Sequence, residues 1–161
     1  MKSSDILPES ESLIERFSPI IRFEHLIDDV LFEKIKIAED GLFSAYYAPF
    51  DHVNANSRVV IVGLTPGRQQ AVIALKRFRD CLVDGKDVAT SLAAAKLAAS
   101  FGGPMRSNLV AMLDEIAVNR WLGIQTCGEL FLHSQSIAHF TSVLRYPVFL
   151  NSENYSGQPS L

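Results

Sequence analysis

The order of apolar and polar positions along the chain predicts alternating helices and strands. Apolar residues recur at helical spacing from residue 18 to about residue 39, which predicts a first helix. The aromatic-rich segment 42–50 predicts a strand that leads into a loop. Four consecutive β-branched residues then occupy positions 59–62 and run directly into Gly-Leu-Thr-Pro-Gly. A continuous apolar run of this kind is typical of a strand buried on both faces, as in a parallel sheet.

The second half of the chain continues the alternation with more helical sequence. The pattern predicts helices over 67–83, 87–99 and 105–118, short helical turns within 122–138, and a second core strand over 140–144. The helix over 105–118 is expected to bury the apolar side chains of Leu109, Met112, Leu113 and Ile116. Two or three core strands make a small sheet. Because the sequence ends on a strand and a polar loop without a closing helix, we expect an incomplete α/β fold.

Size and composition fit one domain. The chain has 161 residues, of which 48% are hydrophobic and 20% are charged. We expect residues 1–17 to form a flexible N-terminal segment and residues 18–161 to form a single α/β domain. No apolar run reaches the roughly 18 residues that a membrane span needs, and the N-terminus lacks a signal peptide's apolar core. We therefore expect a cytoplasmic protein with no membrane partner.

Charge and cysteine content restrict the nucleic-acid and metal partners that we expect. The net charge of −3 provides no global attraction to nucleic acid, so a DNA contact requires a local basic face. Cys81 and Cys127 lie far apart without metal-ligand spacing, which indicates free thiols. We expect neither a metal nor a cofactor.

The loop Gly63–Gly67 is the first candidate site. In α/β proteins ligands bind beyond the carboxyl ends of the strands, and glycines allow the backbone to approach a ligand closely. The loop lacks the Gly-Lys-Ser/Thr ending of a phosphate-binding Walker loop and the glycine spacing of a dinucleotide-binding fingerprint. From the residues alone, it is either a ligand-binding loop or a tight turn between strand and helix.

Three segments, in order, resemble motifs of the uracil-DNA glycosylase superfamily. Gly63-Leu64-Thr65-Pro66-Gly67 resembles the family's first motif, Gly-x-x-Pro-Gly. Ser100-Phe101-Gly102-Gly103 resembles its Pro-Phe-x-Gly segment, and the run over 140–145 resembles its second strand, Thr-Asn-x-x-Lys. The resemblance covers roughly residues 58–150 and leaves the N-terminal segment unexplained.

The resemblance implies a fold and an activity. The family fold is a three-layer αβα sandwich around a four-stranded parallel sheet, of which this chain is expected to form an incomplete version around a short parallel sheet. The implied reaction is hydrolysis of the N-glycosidic bond of a flipped-out base, uracil or another modified base, in duplex or single-stranded DNA. Thr65 would hold the attacking water, and Arg68 and Arg145 would contact backbone phosphates. The base pocket would consist of Gly63, Leu64, Pro66, Gly67, Phe101 and Ser142, with Phe101 stacking on the base and Ser142 contacting its edge.

The chain departs from the family at the residues that carry the chemistry. Leu64 and Thr65 stand where the first motif supplies Asp, Asn or Glu, and Ser142 stands where an Asn reads the base. Neither His133 nor His139 belongs to a His-Pro-Ser motif, and both are expected on helical turns. The chain is therefore expected to be weakly active or inactive by itself, as the N-terminal portion of such a protein. A non-catalytic nucleotide or nucleic-acid binding module and a plain interaction domain remain open.

Two further segments also have two interpretations each. The amide-rich stretch 151–157 is either a loop that lines the pocket or a disordered terminus. The basic residues at 76, 77 and 79 either contact phosphates or form a solvated helix face.

Overall fold

The computed structural model describes residue 6 and residues 8–132 and 137–158. Two short 3-10 helices, Pro8–Ser10 and Cys127–Phe131, accompany the regular elements. The helices are α1 (Glu11–Phe23), α2 (Asp29–Lys34), α3 (Arg68–Val83), α4 (Val88–Ala99), α5 (Pro104–Glu115) and α6 (Val118–Leu122). The strands are β1 (Lys36–Asp40), β2 (Phe43–Tyr46), β3 (Val59–Gly63), β4 (Ala138–Ser142), β5 (Val148–Leu150) and β6 (Glu153–Asn154).

The fold is mixed α/β with two separate sheets. β3 and β4 pair in parallel, in a register that places Val59 beside Ala138 and Gly63 beside Ser142. The predicted parallel sheet is thus confirmed as a two-stranded pair. A second sheet has the antiparallel order β1-β2-β5-β6, which the sequence pattern did not predict beyond β2. The predicted helices over 67–83 and 87–99 are confirmed as α3 and α4.

The predicted single helix over 18–39 is wrong, because this region contains two helices and a strand. α1 begins at Glu11 and includes residues assigned above to a flexible segment, of which Ile14 and Phe17 are buried. It ends at Phe23, because Glu24 is extended. Asp28 then starts α2, since its carboxylate accepts hydrogen bonds from the main-chain N–H groups of residues 30 and 31. A continuous apolar pattern therefore conceals the end of one helix and the start of the next.

A first hydrophobic core joins α1, α3 and α4 to the antiparallel sheet. Its largest fully buried side chains include Phe17, Phe78 and Tyr47, and the rings of Phe17 and Tyr47 stack at 5.1 Å. A second core packs α5, α6 and the 3-10 helix Cys127–Phe131 against one face of the parallel pair. The candidate site lies near the boundary between these two cores.

The other face of β3 is open in the described part of the chain. Val60 and Val62 are 54% and 56% exposed, so the prediction of a strand buried on both faces is wrong. α5 also departs from its prediction. Leu109 and Leu113 pack on the second core, whereas Met112 and Ile116 are exposed.

The C-terminal segment forms a hairpin rather than only a polar tail. β5 and β6 are joined by Asn151 and Ser152, which both have positive φ angles of 50° and 67°. A two-residue turn with both central residues left-handed matches the twist of antiparallel strands. In the described ranges, none of the helices combines the length and the apolar character needed to cross a membrane.

Candidate functional site

A cavity of about 370 Å³ opens at the carboxyl ends of β3 and β4. The two strands end at Gly63 and Ser142, which are direct neighbours in the sheet. Most of the residues predicted for the site line this cavity: Gly63, Leu64, Thr65, Pro66, Gly67, Phe101, Ser142 and Arg145. Arg68 is absent from its lining. The fold therefore brings three sequence-distant segments to one place.

Gly63 is the point on which the other walls converge. A Cβ atom at this position would lie 3.4 Å from the Ser142 Oγ atom and 3.9 Å from the Phe101 Cζ atom. Both distances are ordinary van der Waals contacts, so a larger side chain here would extend into the space between the hydroxyl and the ring. Because position 63 carries no side chain, the cavity reaches down to the main chain.

Phe101 is held in a backbone conformation that side chains rarely adopt. Its φ angle is 51°, in the left-handed region. Such strain costs of the order of 1 kcal/mol and persists where the surroundings determine it. Its ring meets the edge of the Phe140 ring at 5.9 Å, and Arg106 fixes the preceding carbonyl of Ser100 with a 2.7 Å hydrogen bond. The fold thus sustains an unfavourable backbone in order to place this ring at the cavity wall.

Thr65 uses its hydroxyl group to join the two sheets. The hydroxyl donates to the Tyr146 carbonyl oxygen at 2.9 Å and accepts from the Val148 main-chain N–H at 3.1 Å. Its single proton is therefore committed, which leaves one acceptor lone pair. The predicted water-holding role stays a prediction, and it is restricted to accepting a hydrogen bond from the water.

The two predicted phosphate-binding arginines occupy different places. The Arg68 guanidinium pairs with the Asp29 carboxylate and lies 4.6 Å from the centre of the Phe32 ring, so it is directed toward α2. Arg145 lines the cavity, donates to the Ser10 hydroxyl at 2.8 Å and lies 3.8 Å from a carboxylate oxygen of Glu9. Both arginines therefore have an acidic neighbour, and Arg145 is the one of the two that lines the cavity.

Lys96 is a further residue of the cavity that no sequence motif indicates. It lies on α4, is 6% exposed and lines the cavity, and its Nζ atom donates to the His52 carbonyl oxygen. Burial lowers the pKa of Lys96 to about 7, with Arg145 acting in the same direction and Asp51 opposing it. A lysine in the Ala-rich pattern of α4 gives no signal of this burial, because the helix has little amphipathic character in sequence.

Asn154 shows that the amide-rich segment reaches the site. Its Oδ1 atom accepts a 2.8 Å hydrogen bond from the main-chain N–H of Arg68 and so caps the start of α3. Asn154 and the buried Tyr155 both line the cavity. Of the two interpretations for 151–157, the structure agrees with the loop that lines the pocket.

A buried carboxylate lies behind the cavity wall. Asp51 is fully buried and accepts hydrogen bonds from the hydroxyl groups of Tyr47 and Tyr146. Burial raises the pKa of Asp51, while these hydroxyls and the nearby Arg145 act to lower it. The cluster positions the segment 145–146, which supplies the cavity's arginine and the carbonyl that Thr65 binds.

The chain is similar to one curated bacterial protein. The uncharacterized protein YoxB of Bacillus subtilis strain 168 is 34% identical over 130 residues, which are 80% of this chain and 51% of YoxB. The chain thus spans about half the length of the curated relative it matches. No protein-family model matches the chain, and no solved structure matches it.

The prediction that His139 lies on a helical turn is wrong, because it belongs to β4. Its Nδ1 atom accepts a hydrogen bond from the main-chain N–H of Asn54 at 3.3 Å. Burial lowers the pKa of His139 to about 4, with the positive charge of Lys96 contributing. This imidazole is therefore neutral near pH 7. His133 lies outside the described residues.

Cys81 and Cys127 are separate, buried free thiols, as the sequence indicates. Burial and the neighbouring Asp114 raise the pKa of Cys127. Within residues 8–132 and 137–158, no three or more His, Cys, Asp or Glu side chains gather in a way that could hold a metal ion.

The cavity combines groups that suit a flat, polar ligand linked to an anion. Phe101 supplies a ring, Ser142 supplies a hydroxyl group, and Gly63 leaves the main chain accessible. Arg145 supplies a guanidinium group and Lys96 supplies an amine to the same cavity. A nucleotide has this chemistry, since an aromatic base is joined through a sugar to phosphate.

Proposed function

We propose that this chain is a DNA glycosylase-like protein whose cavity accepts a flipped-out base, uracil or another modified base, and hydrolyses its N-glycosidic bond. The observation that carries the proposal is the convergence of Phe101 and Ser142 on Gly63 at the ends of two parallel strands. These three positions come from the three segments that resemble the glycosylase motifs.

In the same proposal the parallel pair is the centre of a three-layer αβα sandwich. One face of the pair is covered by α5 and α6 through the second core. The opposite face carries the exposed Val60 and Val62, and it is the side on which a second helical layer would pack.

The chemistry of base extrusion explains the residue types. A base inside a duplex must leave the stack before a protein can act on its glycosidic bond. Stacking on an aromatic side chain compensates for about 1–3 kcal/mol of that cost. Phe101 would provide the stacking surface, Ser142 would contact the base edge, and Arg145 would bind an adjacent phosphate.

A specific observation favours a second candidate, a non-catalytic module that binds a nucleotide or nucleic acid in the same cavity. The Thr65 hydroxyl is engaged by two main-chain groups, and the neighbouring Leu64 has no group to activate water. With His139 neutral near pH 7, that imidazole offers no positive charge to a departing base. The proposal therefore expects weak base release, or none, from this chain alone.

The test compares Phe101→Ala with wild type on single-stranded oligonucleotides that contain uracil. Fluorescence anisotropy should show that wild type binds and that Phe101→Ala binds roughly 5- to 150-fold more weakly, as expected for a loss of about 1–3 kcal/mol. Val143→Ala is the matched control, because Val143 is exposed and does not line the cavity. Thermal unfolding of both variants checks that they fold.

Base release is measured on the same oligonucleotides by strand cleavage in alkali at enzyme excess. Release that depends on Phe101 supports the glycosylase, and Phe101-dependent binding without release supports the binding module. If wild type binds neither DNA nor any free base, both candidates are refuted and the loop is only a turn.

A further inference from the structure

Lys96 differs from the other lysines that the structure describes. Lys34 and Lys36 form ion pairs with glutamates, and Lys76 and Lys86 are exposed. Lys96 is 6% exposed and lies between two cavities, the one at the strand ends and a second of about 650 Å³. A buried lysine that lines two cavities is placed to meet a small molecule.

The surroundings of this amine do not hold it as an ion pair. Its hydrogen-bond acceptor is the His52 main-chain carbonyl, and in the described residues no carboxylate oxygen lies within 4.0 Å of Nζ. The charged or titratable groups around it are Asp51, Arg145, His52 and His139. Asp51 favours the ammonium form, whereas Arg145 and burial oppose it.

A neutral amine fraction at neutral pH follows from this balance. Burial is the largest influence and lowers the pKa of Lys96 from 10.5 to about 7, while His139 is uncharged near pH 7. Lysines that are desolvated or lie beside another cation are suited to imine formation with carbonyl compounds. Arg145 is such a cation, and it lines the same cavity as Lys96.

The geometry points to Lys96 as a nucleophilic amine that forms an imine with a phosphate-bearing sugar aldehyde in the cavity. The chemical class is the ring-opened form of a 2-deoxyribose phosphate, with Arg145 placed to meet the phosphate. The abasic sugar that base removal leaves in DNA belongs to this class, and this source of the aldehyde rests on the proposed function.

The step is a condensation that balances without another reactant. The Nζ lone pair attacks the carbonyl carbon, a C–N bond forms, and the C=O π electrons move to oxygen, which takes up a proton. Nζ loses a first proton, which gives the neutral carbinolamine. The carbinolamine hydroxyl group then takes up a second proton and leaves as water as its C–O bond breaks, Nζ gives up its remaining proton, and a C=N bond is left. The aldehyde and the amine thus give one imine and one water molecule.

The test traps the imine on the wild-type protein, so that it does not depend on a variant that folds. The protein is incubated with 2-deoxyribose 5-phosphate and sodium cyanoborohydride, and peptide mapping by mass spectrometry locates the reduced adduct. At limiting aldehyde and pH 7, we expect more than tenfold higher occupancy at Lys96 than at the exposed Lys76. Labelling of Lys96 should rise between pH 6 and 8.

Variants and a second probe separate the possible failures. Lys96→Arg should abolish the pH 7 adduct, and Lys76→Arg should retain it. Adducts spread over the exposed lysines with Lys96 unmodified would overturn the inference. In a parallel arm with single-stranded DNA containing an abasic site, an adduct at Lys96 supports the DNA source. If Lys96 is trapped with the sugar phosphate and not with the abasic DNA, the inference of an imine-forming lysine is supported. The same result counts against DNA as the substrate in the proposed function.

Discussion

The burial of Lys96 predicts that replacing it will change how the stability of the protein depends on pH. The replacement is Lys96→Met, which keeps the length and the apolar stem of the side chain and removes the amine. The folded-state pKa of about 7 lies below the ordinary value of 10.5, so the folded protein holds this proton less tightly than the unfolded chain. The stability that Lys96 contributes is therefore fully present above pH 10.5. It decreases as the pH falls from 10.5 and is lost once the pH has fallen through 7.

The magnitude follows from these two pKa values. Between pH 7 and 10.5 the unfolded chain binds a proton at Lys96 that the folded protein lacks, which is worth about 1.4 kcal/mol per pH unit. Over the whole interval the loss is about 5 kcal/mol. Between pH 9 and 7, where the amine becomes half protonated in the folded protein, it is about 2 kcal/mol. Loss of the hydrogen bond to the His52 carbonyl adds an offset that does not vary with pH.

The assay is urea unfolding followed by far-UV circular dichroism at pH 7, 8 and 9. We subtract the free energy of unfolding of Lys96→Met from that of wild type. This difference should decrease by about 2 kcal/mol from pH 9 to pH 7, because wild type loses stability that the variant does not lose. Lys76→Met is the matched control, because Lys76 is exposed on α3, and its difference from wild type should stay constant. Parallel pH dependences for wild type and Lys96→Met would refute the inference that this amine is buried without an ion-pair partner.

Three other substitutions test two contacts near the site and one turn of the fold by urea or thermal unfolding. Asp51→Ala leaves the hydroxyl groups of the buried Tyr47 and the half-buried Tyr146 without their carboxylate acceptor and should cost about 2–5 kcal/mol. A loss below about 1 kcal/mol, equal to that of the exposed Asp84→Ala, would contradict the cluster around Asp51. Gly85→Ala should cost about 1–2 kcal/mol through backbone strain alone, because φ is +78° and the space around a Cβ is empty; an unchanged midpoint would contradict this φ. Asn154→Ala should cost about 1 kcal/mol by removing the cap of α3, whereas Asn154→Asp should retain it; equal losses in both variants would show that the cap does not stabilise α3.

Sequence patterns predict those parts of the fold that local signals determine. α3 and α4 agree with their predictions, because α3 has a helical apolar period and α4 is Ala-rich and has a recognisable start. At α4 the Asp87 side chain accepts from the Thr90 main-chain N–H at 2.8 Å. β3 was predictable because a run of β-branched residues has a strong preference for strand. β4 covers Ala138–Ser142, so it begins two residues before the predicted strand over 140–144.

The sequence-based predictions are wrong where long-range contacts determine the secondary structure or the burial of a residue. The apolar period from residue 20 onward continues past the end of α1, so periodicity alone does not reveal that Asp28 starts a new helix. β5 is only three residues long and forms because it pairs with β2, which lies a hundred residues earlier. The exposure of Val60 and Val62 likewise depends on what packs against β3, and no local pattern contains that information.

The candidate site shows the same difference between residues that local signals reveal and residues that long-range packing determines. The loop Gly63–Gly67 was recognisable because its glycines and proline follow a strand, and its predicted residues do line the cavity. Lys96 was not recognisable, because its burial results from the packing of α4 beside the segment that contains Asp51 and His52. Sequence motifs therefore locate the cavity better than they identify its reactive groups.

The hydrogen bonds of Thr65 affect both the shape of the cavity and its chemistry. Since its hydroxyl joins the end of β3 to Tyr146 and Val148, the loop is held by both sheets at once. A side chain that fulfils this structural role is poorly suited to activate water, and Leu64 beside it has no polar group. Lys96 and Arg145 contribute an amine and a guanidinium group to the same cavity. The loop therefore shapes the binding space, and the proposed imine would form at Lys96 on α4.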